Sequence, residues 1–163
     1  MQKILVSACL MGRAVRYDGS DQKCAHPTFE QWQAESRLVP LCPEVQGGLP
    51  IPRPPAEVQG GNGEAVLLGA SQVLTIAGDD VTRAFAIGAE AALDAARRAG
   101  AKVAILKANS PSCGSHHTYD GTFSNHLVPG RGVTAALLEA HGIRVFDETE
   151  IEGAAAALQS LED

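Results

Sequence analysis

Cysteine thiols are the groups in this sequence best placed to do chemistry. Three of the four cysteines follow segments that are predicted to be buried parallel strands. Cys9 comes after 3–8, Cys42 after 37–41, and Cys113 in the loop after 102–107. In an open α/β sheet, ligands bind beyond the carboxyl ends of the strands, so these thiols are expected at one edge of one sheet. The sequence therefore predicts a three-thiol site assembled by the fold.

Two interpretations of these thiols are open from the residues alone. The first is a metal site, because thiolates favour soft or borderline metals, which means an iron–sulfur cluster, zinc or Cu(I). No pair has the Cys-x-x-Cys spacing of a thioredoxin-like dithiol or a zinc ribbon. The second interpretation is that they are small buried apolar residues, as free cysteines often are. The polar, turn-rich surroundings Cys42–Glu44 and Ser110–Gly114 argue against that interpretation.

The elements that must position the thiols alternate between strand and helix, which predicts an α/β, Rossmann-like single domain spanning 1–163, with a largely parallel sheet flanked by helices. Thr28 is expected to cap a helix over 28–35, and a long helix is expected from Asp80 or Thr82 to 99. Further elements are expected at 64–68 with 72–76 (a β-hairpin), 132–142 (a helix) and 143–146 (a strand). A capping box at 149–152 should open the last helix. The prolines and glycines of 42–63 predict an irregular loop there.

Composition limits the partners. The chain has 163 residues and a formal net charge of -6, and no run of Lys and Arg offers phosphates a basic face. Nucleic acid and anionic membrane surfaces are therefore not expected as partners. The apolar stretch near the N-terminus is too short for a signal peptide core, so a cytoplasmic location is expected. In a reducing compartment, thiols are expected to be ligands, catalytic groups or buried residues.

Several motifs together resemble a bacterial family long described as a domain of unknown function, whose characterised members are thiouracil desulfidases. The resemblance covers roughly residues 3 to 150. Its motifs are Val6–Leu10, Val15–Gly19, Leu38–Glu44, Gly47–Pro50, Pro52–Glu57, Lys107–Gly114, Tyr119–Phe123 and Gly132–Leu138.

The resemblance implies a [4Fe-4S] cluster on Cys9, Cys42 and Cys113, and removal of sulfur from a thiolated pyrimidine base without a change of oxidation state. The implied partner is thus a small molecule, 2-thiouracil or 4-thiouracil. Cys24 lies outside the motifs and is expected not to be a ligand. Two alternatives remain at this stage: a zinc hydrolase on the same cysteines, and a non-catalytic iron–sulfur sensor. The sequence makes no prediction of oligomeric state.

Other polar residues near the cysteines are candidates for catalysis. Glu44 is two residues from Cys42, and a carboxylate there can carry protons during hydrolysis, as the family's acidic residue at this position also implies. Ser110 is preferred over Ser112 for contact with the substrate, although both also suit a Ser-Pro turn.

The remaining motifs have weaker expectations. His116 and His117 are expected to be a surface pair and not metal ligands. Tyr17 and Asp18 are expected to line the pocket or form a turn. The segment Gly130–Gly132 is either a donor of N–H groups to an anion or a tight turn before a helix. Arg53, set between prolines, either binds a carboxylate or is exposed.

Overall fold

The computed structural model describes residues 1–163. Its strands are β1 (Ile4–Ser7), β2 (Leu38–Leu41), β3 (Ala56–Val58), β4 (Val73–Thr75), β5 (Val103–Ile105), β6 (His117–Tyr119), β7 (Leu127–Pro129) and β8 (Arg144–Phe146). Its helices are α1 (Pro27–Ala34), α2 (Pro43–Gln46), α3 (Gly63–Leu67), α4 (Thr82–Ala99), α5 (Val133–Ala140) and α6 (Ile151–Glu162). None of these helices has both the length and the apolar character that a membrane span requires.

A parallel sheet with the order β2-β1-β5-β8 forms the centre of the molecule. Alternate residues of its strands face opposite sides: Leu5 and Ala104 pack with α4 and α5, whereas Ile4 and Ile105 pack with α1 and α6. Because both faces are covered, the inner strands are continuous apolar runs and not alternating ones. The α/β, Rossmann-like prediction is confirmed.

The order of the strands explains where a site can form. From β1 the chain moves to β2 on one side, and β5 pairs with β1 on the other side. The loops that leave β1 and β5 therefore diverge at the carboxyl end of the sheet. A crevice opens at such a switch point, and ligands of open α/β sheets bind there.

The predicted hairpin over 64–68 and 72–76 is wrong in its first half. Residues 63–67 are helix α3, and the Asn62 side chain accepts the Ala65 N–H at 3.2 Å to begin it. The strand β4 pairs instead with β3, which lies inside the stretch predicted to be irregular. The prolines of that stretch precede β3, so its ladder is not interrupted. A further hairpin, β6 with β7, was not predicted.

Two predicted helix caps are also wrong. Helix α1 begins at Pro27, and the His26 side chain accepts the Thr28 N–H at 3.1 Å, so His26 is the cap and not Thr28. Helix α6 begins at Ile151, and the Thr149 N–H donates to Asp147 at 2.8 Å instead of forming a capping box. In α1 the capping residue therefore lies earlier in the sequence than expected, and in α6 no side chain caps the first turn. The beginning of α4 at Thr82 is as predicted.

Candidate functional site

The three motif cysteines line one pocket of about 310 Å³ at the carboxyl edge of the sheet. Cys9 lies in a 3₁₀ turn directly after β1, and Cys42 precedes α2 directly after β2. Cys113 lies in the loop between β5 and β6. Cys9 and Cys113 are buried, and Cys42 is half-buried. The fold thus brings together thiols that are far apart in sequence, as predicted.

Ser7 links two of the strands behind the thiols. Its hydroxyl donates to Cys113 Sγ at 3.3 Å and accepts the Lys107 N–H at 2.9 Å. This contact fixes the Cys113 loop to the end of β1. Sequence reasoning missed Ser7, although it is the one polar residue in an otherwise apolar buried strand.

Burial dominates the electrostatics of the thiols. It raises the pKa of Cys9 to about 11 and that of Cys113 to about 12, and it also raises the pKa of Cys42. Charge on Cys42 further raises the pKa values of Cys9 and Cys113, which shows that the thiols lie within electrostatic range. Such a set binds protons tightly until a cation replaces them, because metal binding requires thiolates.

The donor set fits a cluster better than a single ion. The three sulfur atoms do not all lie within 4.8 Å of one another. A tetrahedral zinc with Zn–S bonds of about 2.3 Å holds its sulfurs roughly 3.8 Å apart. An iron–sulfur cubane spreads its thiolate ligands more widely, since each binds a different iron. No fourth cysteine and no histidine lines the pocket, so one side of the donor set is open.

Glu44 has both carboxylate oxygens bound. Oε1 accepts from Arg53 Nε at 3.1 Å, and Oε2 accepts from the Ser112 hydroxyl at 2.9 Å. The Glu44 and Arg53 side chains are 14% and 4% exposed, so this ion pair is largely withdrawn from water. Arg53 therefore binds a carboxylate, which was one of its two expected roles.

A chain of hydroxyls connects Ser110 to Glu44 through Ser112. Ser110 Oγ accepts the N–H groups of Ser112 at 3.2 Å and Cys113 at 3.1 Å, and it lies 3.0 Å from Ser112 Oγ. Because Ser110 Oγ accepts twice, its own proton is directed to Ser112, whose proton is directed to Glu44. All three residues line the pocket, but Ser112 is only 1% exposed, whereas Ser110 is half-buried. Ser110 is thus the outer end of this chain.

The start of helix α5 holds the Cys113 loop and does not offer an anion site. The N–H groups of Val133 and Thr134 donate to Pro111 O at 3.0 Å and Ser112 O at 2.8 Å. A Cβ on Gly132 would lie 2.5 Å from the Ser112 carbonyl carbon, so glycine is required for this close approach. Neither expectation for Gly130–Gly132 is met, because the segment forms no turn, Gly132 is extended (φ -65°, ψ 165°), and the first N–H groups of α5 are bound to carbonyls.

Other expected residues fall in different places. Tyr17 lines the pocket, but Asp18 does not, and its hydrogen bonds to Ser20 hold the pKa of the Asp18 carboxyl below its usual range. The exposed His116 ring lies 2.8 Å from Glu150, and neither His116 nor His117 lines the pocket.

Cys24 is half-buried and does not line the pocket. Its N–H donates to Leu10 O at 2.8 Å, and its side chain packs on the sheet face that carries α1 and α6. Its separation from the other thiols is consistent with the prediction that it is not a ligand.

These features define an α/β protein with three thiols at a topological switch point. The sequence model of the 2-thiouracil desulfurase family matches residues 4–150. The chain belongs to this family.

Two relatives agree with that assignment. The chain is 47% identical over 148 residues to the uncharacterized protein YbbK of Bacillus subtilis (strain 168), covering 91% of this chain and 97% of that protein. It is similar to the solved structure of the [4Fe-4S]-dependent thiouracil desulfidase TudS, with a TM-score of 0.90 and 45% identity. That match covers 98% of this chain and 99% of the solved chain.

Proposed function

We propose that this protein removes sulfur from 2-thiouracil or 4-thiouracil by a non-redox reaction, using a [4Fe-4S] cluster held by Cys9, Cys42 and Cys113. The single observation that carries the proposal is the donor set: three thiols and no fourth protein thiol or imidazole in one pocket. Membership of the desulfurase family and the likeness to a [4Fe-4S]-dependent desulfidase support it.

The overall reaction needs no electrons. A thiocarbonyl and water become a carbonyl and hydrogen sulfide, and carbon keeps its oxidation state. A cluster on three protein thiolates supplies an iron without a protein ligand, which is a thiophilic Lewis acid for the exocyclic sulfur. The remaining tasks, which are to hold the base, activate water and deliver protons, belong to the residues of the pocket.

Glu44 is the proposed proton carrier. Its carboxylate takes a proton from the attacking water and returns one to the departing sulfur. Ser112 and Ser110 extend its reach along the pocket wall, because the three groups are joined by contacts of 2.9 and 3.0 Å. Ser110, at the accessible end, is the proposed substrate contact.

The pocket suits a small base. A volume of about 310 Å³ is at the lower end of the range for small-molecule sites, and here it has to hold both the cluster and the substrate. Its walls combine apolar residues such as Val15 and Pro43 with the polar groups above, as a planar heterocycle requires. The net charge of -6 supports a small substrate over nucleic acid.

Purification without oxygen tests the cofactor and the activity together. Iron and acid-labile sulfide are measured on the purified protein, which is then mixed with 2-thiouracil or 4-thiouracil while the thiocarbonyl absorption is followed. We expect iron and sulfide near four of each per chain and loss of the absorption. A protein with one zinc and no sulfide, or an intact cluster that consumes neither base, would contradict the proposal.

A further inference from the structure

Arg53 lies beside the proposed catalytic groups without belonging to them. Its guanidinium contacts three separate segments: Glu44 through Nε at 3.1 Å, Pro50 O through Nη1 at 3.2 Å and Val15 O through Nη2 at 3.0 Å. Its backbone N–H also donates to Tyr17 O at 2.7 Å. Arg53 therefore joins the loop after Cys9 to the segment after Cys42.

The contact with Glu44 restricts the carboxylate. Oε2 is directed at Ser112, and Oε1 is held by Arg53, so rotation about the last bond of the Glu44 side chain would break both interactions. Val15 O, which Arg53 binds, also accepts from Cys42 Sγ at 3.8 Å. The Arg53 guanidinium thus restrains both the Glu44 carboxylate and the Val15 carbonyl that lies beside Cys42.

We propose that Arg53 is a positioning residue that acts through Glu44, holding its carboxylate in the orientation that proton transfer requires. This inference rests on the proposed function of Glu44. Stability alone is a poor explanation for the pair, because replacing a buried ion pair by apolar residues is often neutral or favourable. Orientation explains why charges are kept here.

The geometry requires the arginine fork and not only a positive charge. Three acceptors lie in different directions around one planar group, and arginine has five N–H donors in fixed positions. A lysine at position 53 keeps the charge but has a single flexible ammonium. It would leave Val15 O or Pro50 O without its donor, and the Glu44 carboxylate free to turn.

Arg37 offers a matched control. Like Arg53, it is 8% exposed, and it is ion-paired with Glu35 at 3.5 Å and Glu162 at 3.0 Å. It also donates to a backbone carbonyl, Gln2 O at 2.9 Å. It does not line the pocket. Its replacement measures the general effect of breaking a buried arginine network.

The experiment compares cluster-loaded Arg53→Met, Arg53→Lys, Arg37→Met, Glu44→Gln and the double variant Arg53→Met with Glu44→Gln. Iron content, thermal unfolding, kcat and KM are measured for each. We expect Arg53→Met to keep its iron and to lose about 10²-fold in kcat with a much smaller change in KM, as misplacement of a catalytic group does. Arg53→Lys should not restore kcat, Arg37→Met should keep it, and the double variant should be no slower than Glu44→Gln.

Several results would overturn the inference. Full rescue by lysine would show that charge alone matters, and an equal loss in Arg37→Met would show a general effect of unfolding. A further loss of kcat in the double variant would show that Arg53 does not act through Glu44. The double variant has no buried unpaired charge, so it tests the inference even if Arg53→Met alone does not fold.

An infrared measurement separates this inference from the proposed function. The difference spectrum between the wild type and Glu44→Gln isolates the Glu44 carboxylate band and needs no turnover. The same difference in the Arg53→Met background should show a displaced band, and in the Arg37→Met background an unchanged one. An unmoved band in the Arg53→Met background would refute the positioning role, whereas a wild type that consumes no thio-base would refute only the proposed function.

Discussion

The Ser112 hydroxyl lies 2.9 Å from a carboxylate oxygen of Glu44, although the two residues are 68 positions apart in sequence. Glu44 follows Cys42, and Ser112 precedes Cys113, so this hydrogen bond joins two of the three cysteine-bearing segments. The same contact that holds the segments together also joins two groups of the proposed proton-transfer chain. We therefore expect a change at either residue to affect both the local structure and the proposed proton transfer.

Replacing Glu44 by glutamine tests the proton carrier. Glutamine keeps the size and the hydrogen-bonding reach of the side chain but does not titrate in the working range. We expect an unchanged iron content and a fall in kcat of roughly 10² to 10⁴-fold, the usual contribution of general acid–base catalysis. Steady-state turnover of a thiouracil with iron analysis of the same sample is the measurement. Unchanged turnover would remove Glu44 from the mechanism.

Serine-to-alanine variants test the hydroxyl chain. Removal of the Ser112 hydroxyl separates Glu44 from Ser110, and removal of the Ser110 hydroxyl deletes the more exposed end of the chain. Both variants should lower kcat by roughly tenfold or more. Ser115→Ala is the control, because the Ser115 hydroxyl is buried without a partner and does not line the pocket. Equal activities in all three variants would show that the hydrogen bonds from Ser110 through Ser112 to Glu44 carry no protons.

Single cysteine variants test the ligand set. Serine in place of Cys9, Cys42 or Cys113 should remove most of the iron and the visible colour, because a hard alkoxide or hydroxyl replaces a soft thiolate. The Cys24→Ser variant should keep both, since Cys24 lies outside the pocket. Loss of the cluster in Cys24→Ser would instead indicate four thiolate ligands and no open iron.

The raised thiol pKa values predict an alkaline loss of stability in the cluster-free protein. The folded chain keeps its thiol protons up to about pH 11 at Cys9 and about pH 12 at Cys113, whereas the unfolded chain releases them near 9. The free energy of unfolding should therefore be unaffected below pH 9 and fall as the pH rises above it. Each pKa unit of difference between the two states corresponds to about 1.4 kcal/mol.

Urea denaturation of wild type and Cys113→Ala between pH 8 and pH 10.5 measures this dependence. Removal of the Cys113 thiol should make the decline above pH 9 shallower, whatever constant offset the substitution adds. Parallel curves for the two proteins would contradict the assigned burial of that thiol.

The positions of the motif cysteines could be predicted from sequence. Cys9 and Cys42 each come directly after an apolar strand, and parallel strands end at one edge of the sheet. Glu44 was equally accessible to prediction, being two residues from Cys42. The contact of Ser7 was not, and that of Arg53 was only one of two alternatives, because both depend on how loops pack: Ser7 meets Cys113 across 106 positions. Long-range loop contacts leave no periodic pattern in the sequence.

The error at 64–68 has a local cause. The segment Glu64–Leu68 is short and apolar, and such a run fits a strand or a helix equally well. Asn62 decides the outcome, since its side chain caps the Ala65 N–H. The preceding turn residue was a better guide there than the apolar run itself.

In the proposed reaction, oxygen from water replaces sulfur on the pyrimidine without any change of oxidation state. The most direct measurement incubates anaerobic, cluster-loaded protein with 2-thiouracil or 4-thiouracil in ¹⁸O-labelled water, with no reductant present. We expect uracil and hydrogen sulfide in equal amounts, with one ¹⁸O atom in each uracil. Strict dependence on an added reductant, or uracil formed without the label, would contradict the claim.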